Sequence, residues 1–343
     1  MTVKVTWKRA LAALALLGAL GMGFAWSGLF PLAASSGHWK ITDWFLHWTM
    51  QNSVRTYSTF QTPDKARDDT GLVSAAGHFR QACQVCHGAP GAKPSPAMQA
   101  ATPHAPDLAK TAAHYTDREL FWIVRHGVKY TGMPAWPAAD RPDEVVRMVG
   151  FLRRLPGMSP QQYAALSSPP APTGKTAAAQ CMGCHGSDGM GRGQKDIPVI
   201  AGQKTEVLVA ALRRYAAGQR QSAVMQVAAA SLSKSEMQDA AEYFSALPGL
   251  ADVALPGKHP LPIEGRPLAQ LPACTGCHAP GKAAPLIAGQ RASYLAARLR
   301  QWRGEDTVID AHKPQDAMAV IARRIPEDEI DRLAAALAGS PPP

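Results

Sequence analysis

No cysteine in these 343 residues stands outside three copies of one short pattern, so none is left over for any other chemistry. Aromatic residues are scarce at 7%, and five of the eight tryptophans (Trp7, Trp26, Trp39, Trp44 and Trp48) lie before residue 49. Glycine and proline are frequent, at 29 each, as expected of loop-rich modules. No segment combines two-residue alternation with hairpin turns, which excludes a sheet-based fold. The net charge is +10, yet no basic run reaches five residues. The excess is +3 before residue 71 and then +4, +2 and +1 over the three segments that follow. So even a spread is no phosphate-binding footprint, and it excludes a nucleic-acid partner. It suits acidic partners or an anionic membrane surface.

The pattern that uses every cysteine is Cys-x-x-Cys-His: Cys83-Gln-Val-Cys86-His87, Cys181-Met-Gly-Cys184-His185 and Cys274-Thr-Gly-Cys277-His278. Two thiols three positions apart on a helical turn can each add to one vinyl group of a haem. The histidine that follows is then held under the iron. Three disulfides would not need a histidine after every second cysteine. A redox dithiol would sit in a βαβ setting, and a zinc site would need further ligands. Three covalent haem c groups are therefore expected, attached through Cys83, Cys86, Cys181, Cys184, Cys274 and Cys277, with His87, His185 and His278 as proximal ligands.

Lys4, Lys8 and Arg9 precede a charge-free stretch whose apolar core, Leu11 to Ala34, is long enough to span a bilayer. The positive flank predicts a cytoplasmic N-terminus, which places the haem modules in the periplasm of a bacterium. A cleaved signal peptide ending near Leu32-Ala33-Ala34 is the alternative. The apolar run exceeds a signal h-region, and Trp26, Trp39, Trp44 and Trp48 bracket the outer interface, so a retained anchor over 1–36 is expected. Trp44, Phe45, Leu46 and Trp48 predict a short interfacial helix within 37–70. His38 and His47 there read as interfacial polar residues.

The remainder divides into all-α modules at 71–157, 173–249 and 267–343. Pro-rich, semi-rigid linkers are expected at 158–172 and 250–266, including Ser167-Ser-Pro-Pro-Ala-Pro-Thr-Gly174 and Leu255-Pro-Gly-Lys-His-Pro-Leu-Pro262. Each module closes on an amphipathic helix. The first carries Val145, Met148, Phe151 and Leu152. The second starts on a Ser233/Glu236 capping box and carries Met237, Ala240, Ala241 and Phe244. The third starts at Pro326 and carries Ile330, Leu333 and Leu337. The second and third modules are internal repeats. Pro198-Val-Ile-Ala-Gly-Gln203 matches Pro285-Leu-Ile-Ala-Gly-Gln290, Leu212 matches Leu299, and Tyr215 matches Trp302.

An electron carrier closes the sixth position of its iron, commonly with methionine. Met318 is the only methionine after His278, which it follows by 40 residues; Met225 follows His185 by the same interval. Met133, in Thr-Gly-Met133-Pro134, follows His87 by 46. These three are the expected distal ligands. Met98 and Met148 rival Met133, and Met190 and Met237 rival Met225. His126 and His312 keep bis-histidine ligation open.

On these residues the chain resembles the class I cytochromes c. Modules two and three, with Cys-x-x-Cys-His-Gly, Pro-x-Ile-Ala-Gly-Gln and a distal methionine, are similar to tandem diheme cytochromes of c4 type. Module three departs at Ala279, where a Gly is usual, and at Ala336-Leu337, where module two has Tyr243-Phe244. Module one, with Glu119-Leu-Phe-Trp-Ile-Val-Arg-His-Gly-Val-Lys-Tyr-Thr-Gly-Met-Pro134, is similar to monohaem domains of membrane-linked respiratory chains. The resemblance spans about residues 71–340 and implies electron transfer with no catalytic residue and no small-molecule substrate. Implied partners are a periplasmic dehydrogenase, a terminal oxidase, or both, in a membrane complex. The close at Gly-Ser-Pro-Pro-Pro343, without an apolar helix, weighs against the dehydrogenase-subunit variant, whose anchor is often C-terminal. A multihaem peroxidase or nitrite reductase is the enzyme alternative, and it would need an iron with an open face.

Overall fold

The computed structural model describes residues 6–29, 31–167, 177–253, 271, 274–305 and 316–339. Helix α1 runs Trp7–Trp26, and its 20 residues at ~1.5 Å rise match a ~30 Å hydrocarbon core. None of its side chains is buried against the rest of the protein. By length and composition it can cross a membrane, with mean hydropathy 1.5. The helix stops short of the expected Ala34. Ser27 caps it, Gly28 turns to φ +72°, and Pro31 follows closely.

Helix α2, Lys40–Gln61, is longer than the short interfacial helix expected, and its two halves differ. The first exposes Ile41, Trp44, Phe45 and Trp48, with Trp44 stacked on Trp48 at 6.1 Å. The second is docked: Val54 and Ser58 are buried, and Tyr57 stacks on Trp122. Val54 and Ser58 are four apart, so they share the helix face that meets module one.

Module one contains α3 (Leu72–His78), α4 (Asp117–His126), α5 (Pro142–Arg154) and α6 (Pro160–Ser167). Thr116 and Glu119 form a reciprocal capping box on α4. Val145, Met148, Phe151 and Leu152 of α5 are all buried. Helix α6 corrects the expected linker at 158–172. Residues 160–167 are helical, and buried Tyr163 packs edge-on to Phe79 and against Phe151. Pro160 opens this helix, a position proline tolerates, and the rest of that linker lies outside the described residues.

Module two contains α7 (Ala177–His185), α8 (Thr205–Ala216), α9 (Ala223–Ala230) and α10 (Lys234–Ser245). The Ser233/Glu236 box closes with Ser233 N–H donating to Glu236 at 2.8 Å, and Met237, Ala240, Ala241 and Phe244 are buried behind it. The expected linker at 250–266 begins instead with buried Leu250, which packs with Val199, Ala201 and Leu286; positions 254–266 lie outside the described residues. Module three contains α11 (Cys274–Cys277), α12 (Ala292–Arg303), α13 (Ala317–Arg324) and α14 (Ile330–Leu337), whose Ile330, Leu333 and Leu337 are buried. Among the described residues the only β pairing is an isolated Ala89–Ala92 bridge, and the fold is all-α.

His78, on α3, is buried with Nδ1 unpartnered and its ring 4.6 Å from that of Trp136. Burial pushes its pKa down to about 4. The unfolded chain, at ~6.5, takes up that proton first, so stability is untouched above this pH and falls as pH drops toward 4. The loss from this residue should approach ~3 kcal/mol. His78→Phe should flatten the fall in denaturant midpoint between pH 7 and 4.5. An unchanged profile would clear His78.

Candidate functional site

Each Cys-x-x-Cys-His lies on helical backbone. One π-helical turn, Phe79–Cys83, carries α3 into the turn Gln84–His87; α7 ends on His185; and His278 directly follows α11. The three histidines share one further feature. Each Nδ1 donates to a proline carbonyl: His87 to Pro106 at 2.8 Å, His185 to Pro198 at 3.2 Å and His278 to Pro285 at 2.7 Å. With Nδ1 committed as a donor, Nε2 is the nitrogen that could ligate a metal in all three.

In the second motif neither thiol has the lowered pKa of a redox dithiol. Burial pushes Cys83 up to about 12 and Cys181 and Cys184 up to about 11, whereas a reactive cysteine needs a lowered pKa. All six cysteines are free of disulfides. Among the described residues no cluster of three or more His, Cys, Asp or Glu gathers to complete a zinc site.

Modules two and three share one cavity of about 2570 Å³, far above the ~300–1,000 Å³ of an ordinary small-ligand pocket. It brings together two of the expected sets: Cys181, Cys184, His185 and Met225, and Cys274, Cys277, His278 and Met318. Both methionines sit in the first turn of a short helix, Met225 on α9 and Met318 on α13, rather than on a loop. Met133 does lie on a loop. Val128 N–H donates to its carbonyl at 3.2 Å, and Met133 N–H donates to Thr131 Oγ1 at 3.1 Å. Gly127, at φ +66°, makes this possible: a Cβ there would sit 2.6 Å from the Met133 carbonyl oxygen. Of the rival methionines, Met148 and Met237 are buried in helix cores, while Met98 and Met190 are exposed. His126 is exposed at the end of α4 beside Trp122, and His312 lies outside the described residues.

The wall of the shared cavity carries two arginines, Arg220 and Arg298, each with a buried and unpartnered Nε. Arg220 lies over the Tyr215 ring and donates to Tyr294 Oη at 2.6 Å; Arg298 lies over Trp302 at 4.3 Å. Neither forms an ion pair among the described residues. Burial, and then the neighbouring Arg220, hold the Arg298 guanidinium below its ordinary pKa. Two half-buried guanidinium groups without an ion pair among the described residues favour an anion between them.

The seam between modules two and three repeats itself under a two-fold exchange. Gln203 Nε2 donates to Leu286 O at 2.9 Å, and Leu286 N–H donates back to Gln203 Oε1 at 3.0 Å. Gln290 treats Val199 identically, at 2.8 and 2.9 Å. The next residue in each repeat is basic and grips the opposite module. Lys204 donates to the carbonyls of Ala279, Lys282 and Ala284, and Arg291 to those of Ile197 and Met190.

Module one meets module two just as closely. Gly77 of α3 lies against Cys184, whose sulfur would be 2.7 Å from a Cβ at position 77. Buried Glu144 of α5 accepts from Ser222 Oγ at 2.6 Å, Ala223 N–H at 2.8 Å and Trp136 Nε1 at 3.3 Å, and pairs with Arg141 at 3.1 Å. Ser222 in turn caps α9, accepting from the N–H of Met225.

A family model described as cytochrome c oxidase, cbb3-type, subunit III matches residues 72–152, and one described as cytochrome c matches 171–248. The thiosulfate dehydrogenase electron acceptor of Stutzerimonas stutzeri (strain A1501) is 34% identical over 171 residues, 46% of this chain and 77% of that protein. Cytochrome c4 of Thiocapsa roseopersicina is 31% identical over 173 residues, 46% of this chain and 86% of that protein. The chain belongs to the c4-like c-type cytochromes. A solved thiosulfate dehydrogenase from Marichromatium purpuratum is 32% identical over 47% of this cytochrome and 36% of that chain, at a TM-score of 0.37.

The cofactor of such a cytochrome is haem c, and the residues present fit it. Arg220 and Arg298, each with an Nε that has no hydrogen-bond partner, line the cavity and could hold the propionates of a haem. In module one the buried indole N–H of Trp122 is likewise without a partner. Sequence reasoning passed over Pro106, Glu144, Arg220, Arg298 and both interface glutamines. Only the glutamines had left a visible signal, their repetition at the end of Ile-Ala-Gly-Gln.

Proposed function

We propose that this cytochrome holds three haem c groups, one at each Cys-x-x-Cys-His, and relays single electrons between respiratory partners at the periplasmic face of the membrane. Haem c supplies a one-electron ferric/ferrous couple when bound. The chain's own part is to hold each iron between a histidine and a methionine: His87 with Met133, His185 with Met225, and His278 with Met318. A closed sixth position leaves no site for a substrate, so no residue is assigned a catalytic role. The observation that carries the proposal is one cavity lined by Cys181, Cys184, His185 and Met225 and by Cys274, Cys277, His278 and Met318, with Cys184 packed directly on module one.

The likeness to a thiosulfate dehydrogenase electron acceptor supports a dehydrogenase as electron donor. The module-one match to an oxidase subunit supports an oxidase as acceptor nearer the membrane. Helix α1 serves as the retained anchor, with the exposed Trp44 and Trp48 at headgroup depth. In isolated membranes, thiosulfate should reduce the haem bands, and a dehydrogenase should co-purify after solubilisation. Replacing residues 1–29 with a cleavable signal should release the protein to the soluble fraction with its spectrum intact. A mature N-terminus near Ser35, or no response to thiosulfate, would refute the anchor and the donor respectively.

A further inference from the structure

We infer that Gln203 and Gln290 are crossed positioning residues: each one tunes the haem ligand of the other module. The relay runs through single peptide groups. The Pro198 carbonyl accepts from His185 Nδ1–H, and the N–H on the same peptide, that of Val199, donates to Gln290 Oε1 of module three. In the mirror arrangement the Pro285 carbonyl accepts from His278 Nδ1–H, and the Leu286 N–H donates to Gln203 Oε1 of module two. Both glutamines are buried, at 6% and 5% exposure, so water does not compete for these bonds.

Hydrogen bonds in series polarise one another. An acceptor on a peptide N–H draws that proton away and makes the carbonyl of the same peptide a stronger acceptor. The stronger carbonyl pulls harder on the histidine N–H, which enriches the imidazole and favours the ferric iron it binds. Removing the glutamine reverses each step. The haem concerned should become easier to reduce, and it is the haem of the opposite module.

The same arrangement makes each module sensitive to how its neighbour is seated. A small shift at the seam lengthens the Gln290 and Gln203 bonds together. A docking partner that moved one module against the other would therefore change both haems, each through its neighbour's side chain.

The inference rests on haem being present at both motifs, and the test separates the two ideas. Gln290→Met and Gln203→Met keep size and lose the acceptor; intact mass reports the haem count of each. Midpoints are followed haem by haem through the hyperfine-shifted haem-methyl NMR signals, with Met318→Ala assigning those of module three. Gln290→Met should shift the module-two haem upward and leave the module-three haem in place, and Gln203→Met should do the opposite. Parallel shifts of both haems in each variant, or a shift confined to the mutated module, would overturn the crossed assignment. Gln290→Asn and Gln203→Asn, too short to reach the amide, should repeat the pattern. Loss of haem or of folding in all four variants would also overturn it, by showing the side chains to be structural only. Fewer than three haems in the unmutated protein would instead remove the premise.

Discussion

Glu144→Ala should destabilise the protein by about 3–5 kcal/mol, the usual cost of removing one partner from a buried, hydrogen-bonded charge pair. The carboxylate is 4% exposed and sits 3.1 Å from Arg141. It also answers the hydroxyl of Ser222, the N–H of Ala223 and the indole of Trp136, which alanine would leave buried without an acceptor. Two of those donors belong to module two, so the cost falls on the joint between modules. The start of α9 should loosen with it, because Ser222 caps the turn that carries Met225. Glu144→Gln, which keeps one acceptor oxygen, should lose about half as much. Denaturant midpoints of the three proteins give the comparison. A loss below about 1 kcal/mol in the alanine variant would mean that apolar packing around Ala223 carries the joint.

Met318→Ala should have the largest electronic effect. With its thioether gone, the module-three haem should fall in potential by on the order of 0.1–0.3 V, within the ~0.8 V range that axial ligands control. The methionine-sulfur charge-transfer band at the red end of the spectrum should lose roughly a third of its intensity, one contributor of three. Met318 is the only methionine after His278, so no second thioether in that module can replace it. An unchanged band and potential would transfer the ligand role elsewhere, with His312 the first residue to try.

The closing helices of all three modules were legible because their signal is local. Val145, Met148, Phe151 and Leu152 recur at helical spacing, and one face of α5 buries them. The Ser233/Glu236 box needs only two residues three apart. Helix α6 was illegible for the opposite reason. Its proline-flanked sequence reads as a spacer, and only contact with Phe79 and Phe151 makes Tyr163 a core residue. The carbonyls that orient His87, His185 and His278 come 19, 13 and 7 residues later, so no common spacing announces them. Pro198 and Pro285 do open the repeated Pro-x-Ile-Ala-Gly-Gln, but the repeat does not say what their backbone oxygens accept from. Arg220 and Arg298 stand out only in the structure, where each has a buried Nε without a partner and neither forms an ion pair among the described residues. The repeated glutamines were visible as a repeat, but what they hold lies in the other repeat.

The proposed relay is closed: three haems, each with both axial positions filled by this chain. Spin-quantified EPR of the fully oxidised, full-length protein in solubilised membranes tests it most directly. Three low-spin ferric centres per chain, with no high-spin signal, are the predicted result. Two centres, or any high-spin ferric component in the intact protein, would contradict it.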